Sequence, residues 1–322
     1  MWTHPRAIGL LVGYGLDRVF TDPQRWHPVA GFGTAALRVE ARLYRDNRIA
    51  GVIHTAVLVG GVTALGIAST RAVSRLGPPA EAALVATATW AALGGTSLSV
   101  VGRSMADRLD RDDLPGARAL LPSLCGRDPA FLDSDGLARA ALESIAENTS
   151  DATVGVVVWG ALAGVPGILA YRASNTLDAM VGYRSPKYLR FGWAAARLDD
   201  ALNLLPARVT GAATVLAAPL VQGSAAHALR VWRRDASRHP SPNAGVPEAA
   251  SAGALGLQLG GRTQYRHGVE IRPTLGDGRA PTARDLRRAV VLSTRVQEFA
   301  TAASAVLAVS IRQARVRRRS RL

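Results

Sequence analysis

The chain of 322 residues has one cysteine, Cys125, and one lysine, Lys187. A single cysteine excludes an intrachain disulfide and a cysteine-rich metal site. The sequence contains no GxxxxGK[ST] motif, so a P-loop is excluded, and it has neither an HExxH nor a GxSxG element. The residues available for chemistry are instead carboxylates, amides and arginines, which recur together between Arg139 and Arg208.

Aromatic residues make up only 5% of the chain, although 48% of it is hydrophobic. Alanine, glycine, valine and leucine dominate, which is typical of closely packed helices with small residues at their interfaces. About 20 apolar residues span the hydrocarbon core of a bilayer as a helix. We therefore predict an all-α, polytopic integral membrane protein with about four to six membrane-embedded helices and a single domain over residues 1–322. The membrane-like segments are predicted at about 49–70, 82–101, 152–171, 209–229 and 289–311.

The formal charge of +15 comes almost entirely from arginine. The arginines are spread through the polar segments without interleaved aromatic platforms, which argues against nucleic-acid binding. Six of them directly follow the last apolar segment, a placement typical of a cytoplasmic membrane anchor. These are Arg312, Arg315, Arg317, Arg318, Arg319 and Arg321.

Helix breakers interrupt two of the apolar regions. Gly77-Pro78-Pro79 prevents one continuous helix between the first two segments. Segment 152–171 carries four glycines and a proline, and a single crossing there would put the polar motifs that flank it on opposite sides of the membrane. Broken helices are tolerated at membrane depth where they line a protein cavity. We therefore expect a re-entrant or buried pair of half-helices that brings the flanking motifs together.

Three carboxylates, Glu143, Glu147 and Asp151, recur every four residues and would share one face of an α-helix, with Asn148 beside it. Such a stack is repulsive unless a cation or arginines neutralise it. Carboxylate oxygens suit Mg²⁺, which normally keeps several waters and bridges to phosphates. The alternative is a solvated acidic face paired with Arg139.

Asn175 and Asp178 also share a helical face, with Arg172 one turn earlier. Capping of a helix by Ser174 or Asn175 is the alternative there. The next segment, 182–193, mixes cations with aromatic side chains and suits an anionic ligand with a large planar body. A membrane-interface aromatic belt explains it equally well.

Arg197 precedes Asp200 by three residues, and Asn203 follows by another three. Local Arg–Asp pairing is the alternative to a binding role. His27 is interpreted as a turn residue rather than a base. The glycine-rich stretches Asn243–Gly245 and Leu259–Gly261 are expected to form a tight loop that opens a helix, where backbone can approach phosphate closely.

Together these motifs resemble the CobD/CbiB family of cobalamin biosynthesis, and the resemblance covers almost the whole chain. The matching stretches are Asp22-Pro23, His27–Val29, Gly102-Arg103, Gly126–Asp128, Glu147–Asp151, Gly164–Gly167, Tyr171-Arg172, Asn175–Asp178, Met180–Tyr183, Phe191-Gly192, Ala196–Asp200, Asn203, Pro206–Arg208, Asn243–Gly245, Pro247-Glu248 and Leu259–Gly261.

The resemblance implies a multi-pass enzyme of the cell membrane with its active site on the cytoplasmic side. It implies a ligase, adenosylcobinamide-phosphate synthase. Such an enzyme joins the f-propionate carboxylate of adenosylcobyric acid, a corrinoid, to (R)-1-amino-2-propanol or its O-phosphate as an amide. ATP as cosubstrate and Mg²⁺ are expected with it. Membrane lipid and other enzymes of late cobalamin assembly are the further partners it allows.

Within that reaction we assign roles by residue type. Glu147, Asp151 and Asp178 are predicted Mg²⁺ ligands, and Asp199, Asp200 and Glu143 are the predicted catalytic carboxylates. The predicted substrate-binding residues are Asn148, Arg172, Asn175, Tyr183, Trp193, Arg197, Asn203 and Arg208, and Tyr188 could pack on the corrin with Tyr183 and Trp193. A membrane transporter and a noncatalytic signalling protein of the same superfamily remain the alternatives.

Overall fold

The computed structural model describes residues 4–21, 27–265 and 268–319, without side chains for 264–265, 268–269 and 315–319. The predicted motif at Asp22-Pro23 and the terminal Arg321 lie outside the described residues. The fold is helical, as predicted, with one short hairpin of strands. Its elements are α1 (Pro5–Phe20), α2 (Pro28–Leu43), α3 (Arg48–Ser74), α4 (Pro78–Ala92), α5 (Gly95–Asp110), α6 (Leu114–Leu120), α7 (Ser134–Thr149), α8 (Gly155–Ala163), α9 (Val165–Leu177), α10 (Trp193–Ala217), α11 (Ala225–Asp235), α12 (Gly245–Leu255), β1 (Leu259–Tyr265), β2 (Gly268–Leu275) and α13 (Ala283–Arg319).

The chain divides into two compact units, each made of separate stretches of sequence. Unit 1 comprises Met1–Gly94, Gly155–Asn203 and Thr301–Leu322, and unit 2 comprises Gly95–Val154 and Leu204–Ala300. A single domain over residues 1–322 stays a prediction.

Three helical stretches of the described chain are long and apolar enough to cross a membrane: Arg48–Ser74, Pro78–Asp110 and Trp193–Val221. They correspond to the predicted segments at 49–70, 82–101 and 209–229. The last stretch begins well before residue 209, because the polar residues from Arg197 to Asn203 belong to the same helix, α10, as the apolar residues that follow them. The predicted segment 289–311 lies in α13, which is not among these three stretches. Its place in a membrane stays a prediction.

The predicted breaks are found where glycine and proline occur together. Gly77, at a φ of 93°, ends the turn between α3 and α4. Segment 152–171 is divided at Gly164, whose φ is 69°, and α8 and α9 pack against each other. With 9 and 13 residues respectively, neither helix reaches the length of a membrane span. The division of this segment at Gly164 is therefore confirmed, whereas a re-entrant pair that brings the flanking motifs together stays a prediction.

Two π-helical turns border this pair, Ser150–Val154 before α8 and Asp178–Gly182 after α9. Each contains one of the aspartates predicted to bind Mg²⁺, Asp151 and Asp178. Single π-helical turns occur frequently at functional sites. The four-residue spacing holds for Glu143 and Glu147, both in α7, but α7 ends before Asp151.

Small residues let helices of unit 1 approach closely. A Cβ atom on Gly9 would lie 2.8 Å from the carbonyl oxygen of Ala82, and one on Gly13 would lie 2.7 Å from that of Ala86. Glycine in α1 therefore allows direct contact with the α4 backbone, as the composition predicts. His27 caps α2, since its Nδ1 accepts a hydrogen bond from the Val29 N–H at 3.1 Å. The predicted turn role of His27 is confirmed.

In unit 2 every residue of α12 is buried. Asn243 and Ala244 precede the first turn of this helix, as predicted. Leu259–Gly261, however, does not belong to a loop that opens a helix: it begins β1, which pairs antiparallel with β2. The sequence analysis missed this hairpin because Gly260 and Gly261, with φ of 78° and 77°, form an irregularity in the register that disguises the strand pattern.

Candidate active site

A chain of hydrogen bonds joins α9 to α10 inside unit 1. The Tyr171 hydroxyl donates to Oδ1 of Asn203 at 2.7 Å, and Nδ2 of Asn203 donates to Oδ2 of Asp199 at 2.9 Å. Tyr171, Asp199 and Asn203 are buried. We call these three residues, with Asn175 and Asp178, the unit 1 network.

The Asp199 carboxylate is the centre of this network. Asp178 and Asn175 lie near enough to interact electrostatically with it. Its Oδ1 is buried, and among the described residues no donor reaches that atom with normal hydrogen-bond geometry. The carboxylate therefore keeps one oxygen able to accept a proton or a ligand. A buried ionisable group in a candidate membrane helix is expensive to keep, which marks it as a functional candidate.

The arginines predicted for this region lie at its edges. Arg172 donates to Oδ1 of Asn175 at 3.3 Å. Arg197 is 3.6 Å from Asp200, and its side chain is 66% exposed. The local Arg–Asp pairing considered as an alternative is thus present for Arg197. Pairing at that exposure is weak and leaves the guanidinium available to a ligand.

Arg172 also lines a cavity of about 210 Å³ in unit 1. Its walls are mainly apolar side chains of α2, α3, α4 and α9, among them Phe32, Leu65 and Leu169. Arg172 is the one charged residue in its lining. The cavity can therefore take an apolar group whose polar end meets Arg172.

Some of the aromatic residues of segment 182–193 contact other side chains of the protein. The Tyr188 hydroxyl donates to Oε1 of Glu40 at 2.9 Å, and Lys187 lies 2.7 Å from the same oxygen. Tyr188 is therefore not a free surface for a corrin ring, which corrects that expectation. Tyr183, by contrast, is 55% exposed, and Trp193 faces the Arg48 guanidinium at 5.1 Å.

Unit 2 contains a second polar group, which we call the unit 2 cluster. It consists of Arg127, Glu143, Glu147, His239, Glu248 and Arg272.

Glu143 lies at the core of the unit 2 cluster. It forms a buried ion pair with Arg127 and accepts a hydrogen bond from the Gly260 N–H at 2.7 Å. Arg272 is 3.7 Å from the same carboxylate. Glu143 thus ties the 126–129 loop and β1 to α7. Its predicted catalytic role stays a prediction.

Glu248 and His239 complete the unit 2 cluster. Glu248 is 1% exposed, and Arg272 and His239 each approach its Oε1 at 3.6 Å. Burial raises the pKa of Glu248 well above its ordinary value, and repulsion by Glu143 acts in the same direction. Burial lowers the pKa of His239 to about 4, with the Arg272 charge as the second cause. At neutral pH His239 is therefore uncharged, and Arg272 donates a hydrogen bond to its Nε2.

The other predicted residues of unit 2 are Glu147, which belongs to the cluster, Asn148 and Asp151, which follow it in the chain, and Arg208 in α10. Burial raises the pKa of Glu147, while the charges of Arg272 and Arg127 oppose that effect. Nδ2 of Asn148 donates to the Ser144 carbonyl at 2.9 Å. Arg208 donates to Oδ1 of Asn243 at 2.8 Å, which joins α10 to the loop before α12.

The structure therefore assembles the predicted residues in two places. Unit 1 holds Arg172, Asn175, Asp178, Asp199, Asp200, Asn203, Arg197, Tyr183 and Trp193, and unit 2 holds Glu143, Glu147, Asn148, Asp151 and Arg208. Sequence reasoning missed Tyr171, Arg127, His239, Glu248 and Arg272 as members of these groups. Arg127 and Glu248 stand in motifs noted in the sequence, but His239 and Arg272 carry no local signal.

The carboxylate oxygens of the unit 1 network suit a Mg²⁺ ion that is held by few protein ligands. Among the described residues, no group of three or more His, Cys, Asp or Glu side chains is arranged to hold a metal ion. Mg²⁺ commonly takes only one or two carboxylates and fills its other positions with water and phosphate oxygens. Asp178, which lies near Asp199, is one such carboxylate donor.

Comparison with known proteins agrees with the resemblance of the motifs. The profile of the CobD/Cbib protein family matches residues 10–293. Cobalamin biosynthesis protein CobD of Mycobacterium tuberculosis is 61% identical over 306 residues, covering 95% of this chain and 96% of that protein. The proteins of the same name from Geobacter metallireducens and Rhizobium meliloti are 43% and 42% identical, covering 83% and 92% of this chain and 85% and 96% of their own lengths.

No solved structure shows significant similarity to the chain. The family match nevertheless spans both units and all the motifs of the resemblance between residues 10 and 293. The chain is a member of the CobD/CbiB family of cobalamin biosynthesis proteins.

Proposed function

We propose that this protein is a multi-pass enzyme of the cell membrane that forms an amide bond on a corrinoid. It joins the f-propionate carboxylate of adenosylcobyric acid to (R)-1-amino-2-propanol or its O-phosphate. The observation that supports this most is the unit 1 network, since it buries Asp199 in a candidate membrane helix next to a second carboxylate, Asp178. Family membership supplies the corrinoid context.

The chemistry requires activation of a carboxylate. One carboxylate oxygen attacks the γ-phosphorus of ATP and releases ADP, which gives an acyl phosphate. The amine nitrogen then attacks the carbonyl carbon, and inorganic phosphate leaves with that oxygen. Phosphoryl transfer of this kind depends on positioning and charge neutralisation more than on covalent help from the protein.

The residues of unit 1 suit these steps. Asp199 accepts the proton that the substrate ammonium must lose, because only the free amine is a nucleophile. Arg172 and Arg197 neutralise phosphate oxygens, for which guanidinium groups offer paired donors. Asp178 is the unit 1 ligand for Mg²⁺, which when bound with ATP would neutralise the transferring phosphates. Glu147 and Asp151 remain predicted ligands in unit 2.

The apolar cavity beside Arg172 provides a place for an apolar part of a substrate. Exclusion of water from such a place would also protect an acyl phosphate from hydrolysis. Because ATP is a cytosolic metabolite, the active site is proposed on the cytoplasmic side of the membrane.

The decisive experiment incubates the purified full-length protein in detergent with adenosylcobyric acid, ATP, Mg²⁺ and each amine in turn. Product mass and ADP are measured together. We expect one ADP for each amide formed, without any membrane gradient. A protein that forms neither product nor ADP under these conditions is not this ligase, and transport would then be the favoured function.

The metal assignment has its own measurement. Asp178→Asn should raise the Mg²⁺ concentration needed for half-maximal activity by roughly tenfold or more, because a ligand of the ion loses its charge. Asp46→Asn is the matched control, since Asp46 is an exposed aspartate of unit 1 that lies 3.8 Å from Arg190. An unchanged Mg²⁺ requirement in Asp178→Asn would remove Asp178 from the metal site.

A further inference from the structure

A second cavity in unit 1, of about 260 Å³, has a different character from the one beside Arg172. It is lined by the start of α1, the end of α3, the first turns of α4 and the junction between α8 and α9. Two arginines, Arg6 and Arg71, and one carboxylate, Glu81, are its charged lining residues. Its net formal charge is therefore positive. We call it the basic cavity.

The position of Arg71 sets the depth of the basic cavity relative to a membrane. α3 is a candidate span, and its uncharged sequence begins at Ile49 and ends at Thr70. Arg71 is the next residue. The end of such a stretch lies at the level of the lipid headgroups, where cationic side chains meet phosphate.

The interior of the basic cavity is divided between apolar and polar surfaces. Ile67, Leu84 and Val85 supply apolar walls, whereas Arg6 and Arg71 supply cationic groups. Ile67 is also 38% exposed, so this apolar wall is not closed off from the surroundings of the protein. Such a division suits a molecule with an apolar chain and an anionic head.

The backbone at the α8–α9 junction adds further positive potential. Gly164 precedes α9 and cannot cap it with a side chain, so the N–H groups of Val165 and Gly167 in its first turn are not capped by that residue. A helix N-terminus carries partial positive charge. Arg6 lies against this junction, because a Cβ atom on Gly164 would be 3.1 Å from its Nε. The arginine and the helix end therefore face the same cavity.

We propose that the basic cavity binds the phosphate of an anionic phospholipid, with the acyl chain along its apolar side. This site is separate from the proposed amide-forming chemistry and does not depend on it. Inorganic phosphate shares the headgroup chemistry but lacks the chain, so the two sources can be told apart. Glu81 opposes the anion and weakens the site.

The test measures lipid retained by the full-length protein in nanodiscs. One set of nanodiscs contains phosphatidylcholine and phosphatidylglycerol, and the other contains phosphatidylcholine without anionic lipid. The lipid that stays bound to the protein is counted by native mass spectrometry. The wild-type protein should retain phosphatidylglycerol in preference to phosphatidylcholine. Equal retention of the two lipids by the wild-type protein overturns the proposal, whatever the variants do.

Variants then locate the site. Arg6→Gln and Arg71→Gln should each weaken phosphatidylglycerol retention roughly fivefold, the effect expected for one arginine near an anionic surface. Arg75→Gln is the matched control, since Arg75 is one turn further along, exposed, and outside the cavity lining. An equal loss in Arg75→Gln would reduce the effect to general surface charge and overturn the site.

Two further measurements test the effect of the Glu81 charge and distinguish a lipid ligand from free phosphate. Glu81→Gln should increase retention, because it removes a competing negative charge. A decrease would mean that Glu81 instead orders the arginines, and the proposal would fail. Inorganic phosphate added at the same ionic strength as a chloride control should displace little lipid. Full displacement by phosphate would assign the cavity to a free anion rather than to lipid.

Discussion

The unit 2 cluster surrounds its glutamates with two arginines, and Glu143 lies within ion-pair distance of both. In the unit 1 network the Asp199 carboxylate is instead bonded to an amide and faces a second carboxylate. The first arrangement offsets most of its negative charge with its own arginines and ties loops to helices. The second leaves negative charge to be matched by something that binds, such as an ammonium group or a metal ion. We therefore assign stability mainly to the unit 2 cluster and chemistry mainly to the unit 1 network.

Replacement of Asp199 by asparagine should have the largest effect on activity. Loss of a positioned general base costs between about 100-fold and 10,000-fold in rate. Asp200→Asn is the comparison, because Asp200 is the neighbouring candidate base but is one-third exposed and lies 3.6 Å from Arg197. Amide formation by the two variants is compared under saturating substrate. A larger loss in Asp200→Asn would transfer the base role to Asp200.

Replacement of Glu143 by alanine should have the largest effect on stability. It removes the buried ion pair with Arg127 and the acceptor of the Gly260 N–H, which should cost about 3–5 kcal/mol in the free energy of unfolding. Asp107→Ala breaks an exposed ion pair with Arg287 in the same unit and should cost less than about 1 kcal/mol. Denaturant titration in detergent measures both. Equal losses would contradict the structural role given to the unit 2 cluster.

Acid should destabilise the protein through His239. Its pKa is about 4 in the folded protein, against an ordinary value of 6.5 that applies to the unfolded chain, so the unfolded chain binds a proton first as the pH falls. The stability associated with neutral His239 is complete above pH 6.5 and is lost between pH 6.5 and 4, by about 3 kcal/mol in total.

The His239 prediction is isolated by comparison with His239→Gln, because Glu248 titrates in the opposite sense beside it. The difference in unfolding free energy between wild type and variant should shrink as the pH falls through that window. A difference independent of pH would show that His239 does not titrate on unfolding.

Tyr171→Phe should have the smallest effect of the four. It removes one hydrogen bond to Asn203, worth about 1 kcal/mol, and leaves Asp199 in place. Activity should fall much less than in Asp199→Asn. A loss as large as that of Asp199→Asn would mean that the hydroxyl takes part in the chemistry directly.

The sequence predicted the fold class and the helix breaks well, because both depend on local signals. A long uncharged stretch such as 49–70 indicates a membrane helix by itself. Glycine and proline together, as in Gly77-Pro78-Pro79 or Gly164 with Pro166, interrupt a helix whatever the surrounding fold. The segment 289–311 is less clear-cut, because it depends on where Arg295 and Glu298 lie, and the structure pairs these two side chains with each other at 2.8 Å.

The candidate site was predicted in part. Asn175, Asp178, Asp199 and Asn203 were recognised because helical spacing places polar residues on one face. Tyr171 was recognised only as part of the Tyr171-Arg172 match, because no local spacing indicates that its hydroxyl bonds to Asn203 of α10. His239 and Arg272 join Glu248 from distant parts of the chain, so no local spacing could have revealed them.

The π-helical turns at Ser150–Val154 and Asp178–Gly182 have a consequence for mutagenesis. The hydrogen bonds of a π-helical turn join residues five apart, whereas those of an α-helix join residues four apart, so the π turn contains one extra residue. Each residue of an α-helix accounts for about 100° of rotation about the helix axis. Deletion of a single residue from either turn would let it relax to α-helical winding and swing the adjacent aspartate around the helix axis. Length, as much as residue identity, therefore sets the direction in which Asp151 and Asp178 present their carboxylates.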